Sequence, residues 1–433
     1  DSAPCSTRPS AGRLRALDGL RLLAALWVAL YHYLGQDHER SPWGQLAATI
    51  FPDWDFLAPY GWLGVEVFFI VSGFAICMSC WNRSLGAFFR SRVTRLYPAY
   101  WVAVVLTFVV ISVTPAVAEA PRWSDVLVNL TMLQEPLQVP LVDPVYWTLW
   151  FEMKFYLLFA VVVWMGLTYK RVIVFCLIWT IGGAMSEGVS QPILNMIFMP
   201  SYNSYFIIGI GLYLIHRFGN QLLTWLVIGV NVVTAFFYAV RKMEHQAKDV
   251  VHQPLESWVV AATLLLAVAL VYAIARGRLD WVRGDWITKA GALTYPFYLL
   301  QLHVGLAVIY WLYVLAELSA YVVLPATLGV VLLLSWLVHR FVERPLAAWL
   351  TGRLASGRGL SLNPTDLLAA PSTAPRVHGR SSRGTAEAAA ADPGAADSES
   401  GSTVRIPSPN GSRRSGGDSS QRRSRDELTI ARK

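Results

Sequence analysis

Charged residues are scarce in this sequence. Only 15% of its 433 residues are Asp, Glu, Lys or Arg, whereas soluble domains carry about a quarter. Hydrophobic residues make up 55% of the chain and the mean hydropathy is +0.44. So little charge over such a length argues against a soluble globular enzyme and predicts an integral membrane protein.

Cysteine is also scarce, with four residues in the whole chain. Cys77 and Cys80 form a CxxC pair, and Cys176 lies in another apolar run, whereas Cys5 lies in the polar N-terminus. The sequence offers no second cysteine pair and no histidine cluster to complete a zinc site. We therefore predict buried thiols that pack as small hydrophobic groups, and no metal.

The basic residues are concentrated in loops and in the C-terminal tail. The net charge is +8 and the isoelectric point is about 9.3, but the distribution is typical of membrane topology and not of a nucleic-acid partner. No cleavable signal peptide is evident, and the first apolar run is expected to stay as an anchor.

Ten apolar runs are long enough, or nearly so, to cross a bilayer, which needs about 20 residues. The fold class predicted is an all-α polytopic bundle, and the fifth and sixth runs are short. The runs are 17–35, 61–80, 96–114, 146–166, 171–186, 201–215, 222–240, 257–275, 291–313 and 319–338.

Lys and Arg alternate between the loops, which predicts that both termini lie in the cytoplasm. The loops assigned to the outside hold Arg40, Arg122, Arg241, Lys242 and Lys248. The loops assigned to the inside hold Arg8, Arg13, Arg15, Arg83, Arg90, Arg92, Arg95, Lys170, Arg171, Arg217, Arg276, Arg278, Arg283 and Lys289.

Three parts follow from this pattern: a cytoplasmic segment at 1–16, a transmembrane domain at 17–354 and a tail at 355–433. The tail is rich in Ser, Gly, Ala, Pro and Arg without apolar periodicity, which predicts disorder. The end of the domain, 341–354, is expected to form an amphipathic helix at the inner surface.

The first span carries Asp18, Arg21 and His32. Ionisable groups inside a span are costly and each is a functional hypothesis. Eleven residues are close to three helical turns, so Arg21 and His32 are predicted on one face, about 16 Å apart. Asp18 and Arg21 also fit a simple ion pair at the helix entrance, and His32 fits a satisfied polar residue.

Later spans add Glu66, Ser72, Trp147, Glu152 and His303. We predict that Glu66 or Glu152 orients the His32 imidazole, as a carboxylate does for a catalytic histidine, and that Glu152 lies at the depth of His32. Ser72 indicates close helix packing, and Trp147 also fits an interfacial anchor. His303 fits either a site-lining or a structural role.

Arg92 and Arg95 precede the third predicted span, in an RxxR pattern. Positive-inside anchoring explains them in isolation. Because arginine forks also bind phosphate in a bidentate manner, a cytoplasmic group with Arg21 is a candidate seat for a phosphorylated donor.

Together these segments resemble the acyltransferase family 3 of integral membrane proteins, from about residue 13 to 350. The matching pieces are Leu17-Asp18-Gly19-Leu20-Arg21 with His32, Gly64-Val65-Glu66-Val67-Phe68-Phe69 with Ser72-Gly73-Phe74, Arg92-Val93-Thr94-Arg95, Trp147-Thr148-Leu149 with Glu152, Tyr295-Pro296-Phe297-Tyr298-Leu299 with His303, and Glu343-Arg344-Pro345.

The resemblance implies transfer of a short acyl group, often acetyl, from cytoplasmic acyl-CoA to a hydroxyl of a glycan, lipid or small molecule such as a macrolide. It makes His32 the catalytic residue, as general base or acyl carrier. It implies that Arg21, Arg92 and Arg95 bind the acyl-CoA donor or shape its site. It also implies a multi-pass protein of the cell membrane, taken as the bacterial plasma membrane. Met153 departs from the family, which often has a second carboxylate there, and the C-terminal esterase-like domain of some members is not found.

Two other functions fit the same charges. A transporter would use the intramembrane charges as a substrate or proton path, although no internal repeat is evident. A scaffold would recruit partners through its tail. Loss of thioester from acyl-CoA discriminates the first from an enzyme, and deletion of 355–433 tests the second.

Overall fold

The computed structural model describes residues 14–36, 42–81, 83–189, 191–282 and 284–356. Within them the regular elements are helical and no strand occurs, which confirms the predicted all-α fold. Cys5, most of the predicted N-terminal segment and nearly all of the predicted tail lie outside the described residues. The α-helices are α1 (Arg15–Leu30), α2 (Ala47–Ile50), α3 (Leu63–Cys80), α4 (Leu85–Val113), α5 (Trp123–Asn129), α6 (Trp147–Met165), α7 (Tyr169–Val189), α8 (Pro192–Phe198), α9 (Asn203–Phe218), α10 (Leu222–Asp249), α11 (Ser257–Ala275), α12 (Asp285–Leu300), α13 (His303–Ile309), α14 (Ala320–Val338) and α15 (Arg344–Ser356).

Eight helical segments of the described chain are long and apolar enough to cross a membrane, and α12 with α13 makes a ninth if that bent pair is one span. The eight are Ala58–Cys80, Leu85–Val113, Pro144–Met165, Tyr169–Gly188, Pro192–Phe218, Leu222–Asp249, Ser257–Ala275 and Ala320–Arg353. The chain is therefore a multi-pass membrane protein.

The first of the ten predicted spans, 17–35, is not among the segments that are long and apolar enough to cross a membrane. Its α-helical part, α1, has 16 residues and carries Arg15, Asp18 and Arg21, so it is both short and comparatively polar. The helix continues as a π-helix, Tyr31–Gly35. α1 packs against α3 and α12, so its polar residues face other helices of the bundle.

Two helices extend well beyond their predicted bounds, and both extensions carry charge. α4 begins at Leu85, not at residue 96, so Arg92 and Arg95 lie within a helix and, three residues apart, share a face. α10 continues to Asp249, nine residues beyond the predicted end. Lys242, which the sequence assigned to a loop, is therefore a helical residue.

Glycines allow α3 to approach its neighbours closely. A Cβ added to Gly73 of α3 would lie 2.1 Å from the carbonyl oxygen of Phe206 in α9, and one added to Gly64 would lie 2.6 Å from the oxygen of Ala24 in α1. Small residues that permit such contact between backbones drive helix association in membranes. Alanine at either position would force α3 away from a neighbour.

The chain bends by 78° between α12 and α13, at Gln301 and Leu302. Asp143, which is fully buried, stabilises the break because its Oδ2 accepts a hydrogen bond from the backbone N–H of His303 at 3.2 Å. On the other side of the break, the hydroxyl of Tyr33 donates to the backbone oxygen of Gln301 at 2.6 Å. These two backbone groups at the break are thus paired inside the protein, as a low-dielectric environment requires.

Candidate active site

A cavity that encloses about 770 Å³ of open space, part of it continuous with solvent, lies among α1, α3, α4, α6 and α12. Along α3 its lining runs from Ile76 to Val65, eleven residues or about 16 Å of helix. We call it the arginine pocket because Arg21, Arg92 and Arg95 all line it. The other lining residues are Phe68, Phe69, Ser72, Leu96, Thr148, Leu149, Glu152, Tyr156, Gly291, Thr294, Tyr295 and Tyr298.

The helical start of α4 positions two of the three arginines. Nη2 of Arg92 donates to the hydroxyls of Ser79 and Ser91, at 3.4 and 3.0 Å, and its guanidinium lies over the ring of Tyr156 with 5.8 Å to the centroid. Its Nε is buried and has no hydrogen-bond partner among the described residues. The sequence therefore predicted correctly that Arg21, Arg92 and Arg95 come together.

Glu152 belongs to this arginine pocket. Its Oε1 accepts hydrogen bonds from the hydroxyls of Ser72, at 2.8 Å, and of Tyr156. Ser72 lies six residues after Glu66 on α3, about 9 Å further along the helix. The prediction that grouped Glu152 with Glu66 was therefore wrong, because α6 carries Glu152 more deeply into the bundle than its place in the sequence indicated.

His32 lies in the π-helical turn that ends the first helix, where it is half-buried. Its Nδ1 is 3.0 Å from Oε1 of Gln301, at the break between α12 and α13. An amide oxygen accepts hydrogen bonds only, so Nδ1 of His32 is the donor in this contact. The predicted carboxylate partners, Glu66 and Glu152, make their described contacts elsewhere.

Glu66 is fully buried in the first turn of α3 and pairs with a lysine. Nζ of Lys242, on α10, lies 2.8 Å from Oε1 of Glu66. The ammonium also faces three aromatic rings, with centroids 4.9 Å away for Trp62 and 5.5 Å away for Trp147 and Tyr202. We call these five residues the lysine cluster; Trp147, which the sequence indicated as a candidate residue of a later span, is one of them.

Asp18 and His303 have structural contacts of their own. Asp18 is buried against α12. A Cβ added to Gly291 of α12 would lie 2.4 Å from the Cβ of Asp18. Nδ1 of His303 is 3.2 Å from the carbonyl oxygen of Val142 and 3.6 Å from Oδ2 of Asp143. Burial raises the pKa of the Asp143 carboxyl, and the adjacent His303 opposes that rise. His303 therefore helps to stabilise the break between α12 and α13.

Sequence reasoning missed Lys242 and Gln301 as site residues. Lys242 follows Arg241 at the end of an apolar run, where cations are ordinary topology signals. Gln301 is uncharged and so gives no sign of an expensive intramembrane group. Its proximity to His32 spans 269 positions of sequence, and only the fold brings the two together.

The geometry combines an elongated cavity that holds three guanidinium groups with an imidazole, that of His32, whose Nδ1 contacts Gln301. Tyr298, which lines the cavity, lies three residues before Gln301 on α12, so about one helical turn separates the cavity wall from the partner of His32. Such a molecule is a membrane protein equipped to hold an anionic ligand close to a nucleophile or base.

The family comparison agrees with this class. The family model described as an acyltransferase domain, of acyltransferase family 3, matches residues 14–340. The chain belongs to this family and is a membrane acyltransferase. No curated protein and no solved structure matches it.

Proposed function

We propose that the protein transfers a short acyl group, acetyl in the first instance, from cytoplasmic acyl-CoA to a hydroxyl. The acceptor would be a carbohydrate, a cell-surface glycan or a macrolide-like compound, and His32 would be the catalytic residue. The setting would be the bacterial plasma membrane, with both termini of the chain inside.

The observation that carries this proposal is the composition of the arginine pocket along its length. Arg21, Arg92 and Arg95 provide guanidinium groups, whereas Val65 and Phe68 provide an apolar wall toward the start of α3. Acyl-CoA has the same polarity, with phosphates at one end and an uncharged pantetheine thioester at the other. Its phosphates match guanidinium forks, and an extended arm of that kind spans a length of about 16 Å.

The buried Nε of Arg92 supports the choice of an anionic donor. A buried donor group without a partner is costly, and a phosphate oxygen would satisfy it. Glu152 faces the same cavity and is bonded by Ser72 and Tyr156. Its carboxylate offsets part of the positive charge in the pocket, which otherwise would repel itself in a low-dielectric environment.

In the proposed reaction, Nε2 of His32 takes the proton of the acceptor hydroxyl while the hydroxyl oxygen attacks the thioester carbonyl. The carbon–sulfur bond breaks, and the imidazolium returns the proton to the CoA thiolate. In the covalent variant, Nε2 attacks the thioester carbonyl first, the carbon–sulfur bond breaks and CoA leaves as the thiolate. The acceptor hydroxyl then takes the acyl group from the imidazole, and its proton passes to the thiolate. Both routes yield one ester and one CoA thiol.

The test is release of CoA thiol from acetyl-CoA by the purified full-length chain in detergent. His32→Ala should abolish the release, whereas His245→Ala, an exposed histidine paired with Asp249 on α10, should leave it unchanged. Thermal unfolding of both variants would show that they are folded. Full thiol release by a folded His32→Ala variant would disprove the proposal.

The break between α12 and α13 also fits a transporter, because broken helices form the substrate sites of many transporters. Family membership decides for an acyltransferase. A pure transporter would release no thiol, so the same assay distinguishes the two functions.

A further inference from the structure

Gln301 is a neutral polar residue that is fully buried at the break between α12 and α13. Its side-chain Oε1 lies 3.0 Å from Nδ1 of His32, and its backbone oxygen accepts a hydrogen bond from the hydroxyl of Tyr33 at 2.6 Å. Two consecutive residues of the π-helical turn therefore bind one residue of α12, the first through its side chain and the second through its main chain. Both contacts tie the His32 ring to the break.

Buried neighbours hold Gln301 in this place. Tyr33 is 1% exposed, and its own backbone oxygen accepts a hydrogen bond from Nε1 of Trp43 at 2.8 Å. Gly305 on α13 leaves room for the Tyr33 hydroxyl, because a Cβ added there would lie 2.1 Å from the hydroxyl oxygen. A side chain supported in this way is held more precisely than one on a loop. The amide of Gln301 is therefore directed at His32 by contacts that the imidazole does not itself make.

The partner of His32 in this contact is an amide and not a carboxylate. A carboxylate at that place would orient the ring and would also stabilise the imidazolium. An amide oxygen accepts the same hydrogen bond without a formal charge. The contact therefore suits the orientation of a neutral imidazole, which is the form that can take a proton or attack a carbonyl carbon.

The same contact determines which ring nitrogen carries the proton. In a neutral imidazole one nitrogen donates and the other accepts, and the hydrogen bond made by one nitrogen sets the protonation of the other. A donor at Nδ1 makes Nε2 the accepting nitrogen. The proposed reaction uses Nε2 as its base or its nucleophile, and the opposite tautomer, with its proton on Nε2, could perform neither step.

The second polar atom of the Gln301 side chain argues against a purely structural role. Its Nε2 is buried and has no hydrogen-bond partner among the described residues. A buried N–H group without a partner destabilises a folded protein. An apolar side chain of the same length would avoid that loss, so the useful property of glutamine at this position is its acceptor oxygen.

We propose that Gln301 is the positioning residue of His32: its amide oxygen keeps the proton on Nδ1 and so presents Nε2 as the base or nucleophile. Gln301 acts through the imidazole and is assigned no contact with either substrate. This proposal rests on the proposed function, since it assigns a role within the same reaction.

The first test is Gln301→Met, which removes the acceptor oxygen and keeps the length of the side chain. The full-length chain in detergent should release thiol from acetyl-CoA with kcat lowered about 10- to 100-fold, the worth of one hydrogen bond to a group that becomes charged during the reaction. KM for acetyl-CoA should stay within about twofold, because the interactions that bind the donor are unchanged. The melting temperature should not fall, since the unpaired N–H group is removed as well.

Gln301→Glu is the conservative variant, because a carboxylate oxygen accepts the same hydrogen bond from Nδ1. It should restore kcat to within about threefold of the wild-type value. Gln134→Met is the matched control, since Gln134 is also 0% exposed and lies in the segment between α5 and α6. That control should leave both kcat and KM for acetyl-CoA unchanged.

A second measurement reports the tautomer without reference to activity. In the full-length chain labelled with 15N-histidine, the ring nitrogen shifts distinguish a protonated nitrogen from a bare one. The signals of His32 are identified by their loss in His32→Ala. The wild-type chain should show the proton of the neutral His32 ring on Nδ1, and Gln301→Met should show a mixture of both tautomers.

Three results would overturn this assignment: wild-type kcat in a folded Gln301→Met chain, equal loss of kcat in Gln301→Met and Gln301→Glu, or a wild-type His32 ring with its proton on Nε2. Failure of the proposed function is a separate result, namely full thiol release by folded His32→Ala. Loss of release in His32→Ala together with wild-type kcat in Gln301→Met would retain the function and reject the role of Gln301.

Discussion

The arginine pocket and the lysine cluster use charge in different ways within the same bundle. The pocket gathers three guanidinium groups around one carboxylate, Glu152, and that carboxylate is bonded by two hydroxyls. The cluster sets one ammonium against one carboxylate, Glu66. The pocket is therefore left with excess positive charge, and the cluster is neutral. An excess of positive charge favours an anionic ligand, whereas in the cluster the two charges compensate each other.

The largest expected effect is on stability, when one partner of the ion pair between Lys242 and Glu66 is removed. Lys242→Gln leaves the Glu66 carboxylate buried without a counter-charge and should lower the free energy of unfolding by about 3–5 kcal/mol. The double variant with Glu66→Gln should recover most of that loss. Thermal unfolding in detergent measures both, and equal melting temperatures for the single and double variants would contradict the expected coupling.

The next effect concerns the charged ligand of the arginine pocket. Arg92→Ala should raise KM for acetyl-CoA roughly 10- to 100-fold, the worth of one hydrogen bond to a charged group. Arg90→Ala is the control, because Arg90 is exposed on the same helix and does not line the pocket. An unchanged KM for acetyl-CoA in Arg92→Ala would remove the donor from this pocket.

A smaller effect tests how Glu152 is held. Tyr156→Phe deletes one of the two hydroxyl donors to Glu152 and should lower the free energy of unfolding by about 1 kcal/mol, since Ser72 still bonds the carboxylate. Tyr238→Phe removes a comparable hydroxyl bond to Glu187 at an exposed position and should cost less. Chemical denaturation of both variants compares them, and a larger loss for Tyr238→Phe would reverse the expected order.

The smallest expected effect is the dependence of KM on salt concentration, which should differ between a charged donor and an uncharged acceptor. Raising the salt concentration from about 0.05 to 0.3 M should increase KM for acetyl-CoA about two- to threefold, because ions screen the attraction between arginine and phosphate. KM for an uncharged glycoside should not change. Steady-state kinetics at several salt concentrations measure both, and equal salt dependence would remove the distinction.

The sequence predicts the helical fold and the arginine group, because both depend on patterns that are local. Apolar runs identify the spans, and the RxxR spacing places Arg92 and Arg95 on one helix face wherever the helix begins. The number of membrane spans is harder to predict. α1 is a short α-helix that carries Arg15, Asp18 and Arg21, so it belongs to an apolar run of the sequence but is shorter and more polar than the other spans.

The remainder of the site depends on contacts between distant segments. The depth of Glu152 follows from its bond to Ser72, 80 positions away, and the role of Lys242 follows from Glu66, 176 positions away. Neither separation leaves a periodic signal. The π-helical turn at His32 also interrupts the α-helical repeat that predicted Arg21 and His32 on one face, and its position has no marker in the residue pattern.

The hydrogen bond between His32 and Gln301 has a consequence for the order in which the protein is made. His32 enters the membrane with the first helix, and Gln301 follows 269 residues later. Synthesis proceeds at roughly 5–20 residues per second, so the imidazole waits on the order of 15 seconds or more for its partner. During that interval the nascent chain already contains α1, α3, α4 and α6 but lacks this hydrogen bond. The contact between His32 and Gln301 can therefore form only after the bent pair α12 and α13 has been completed.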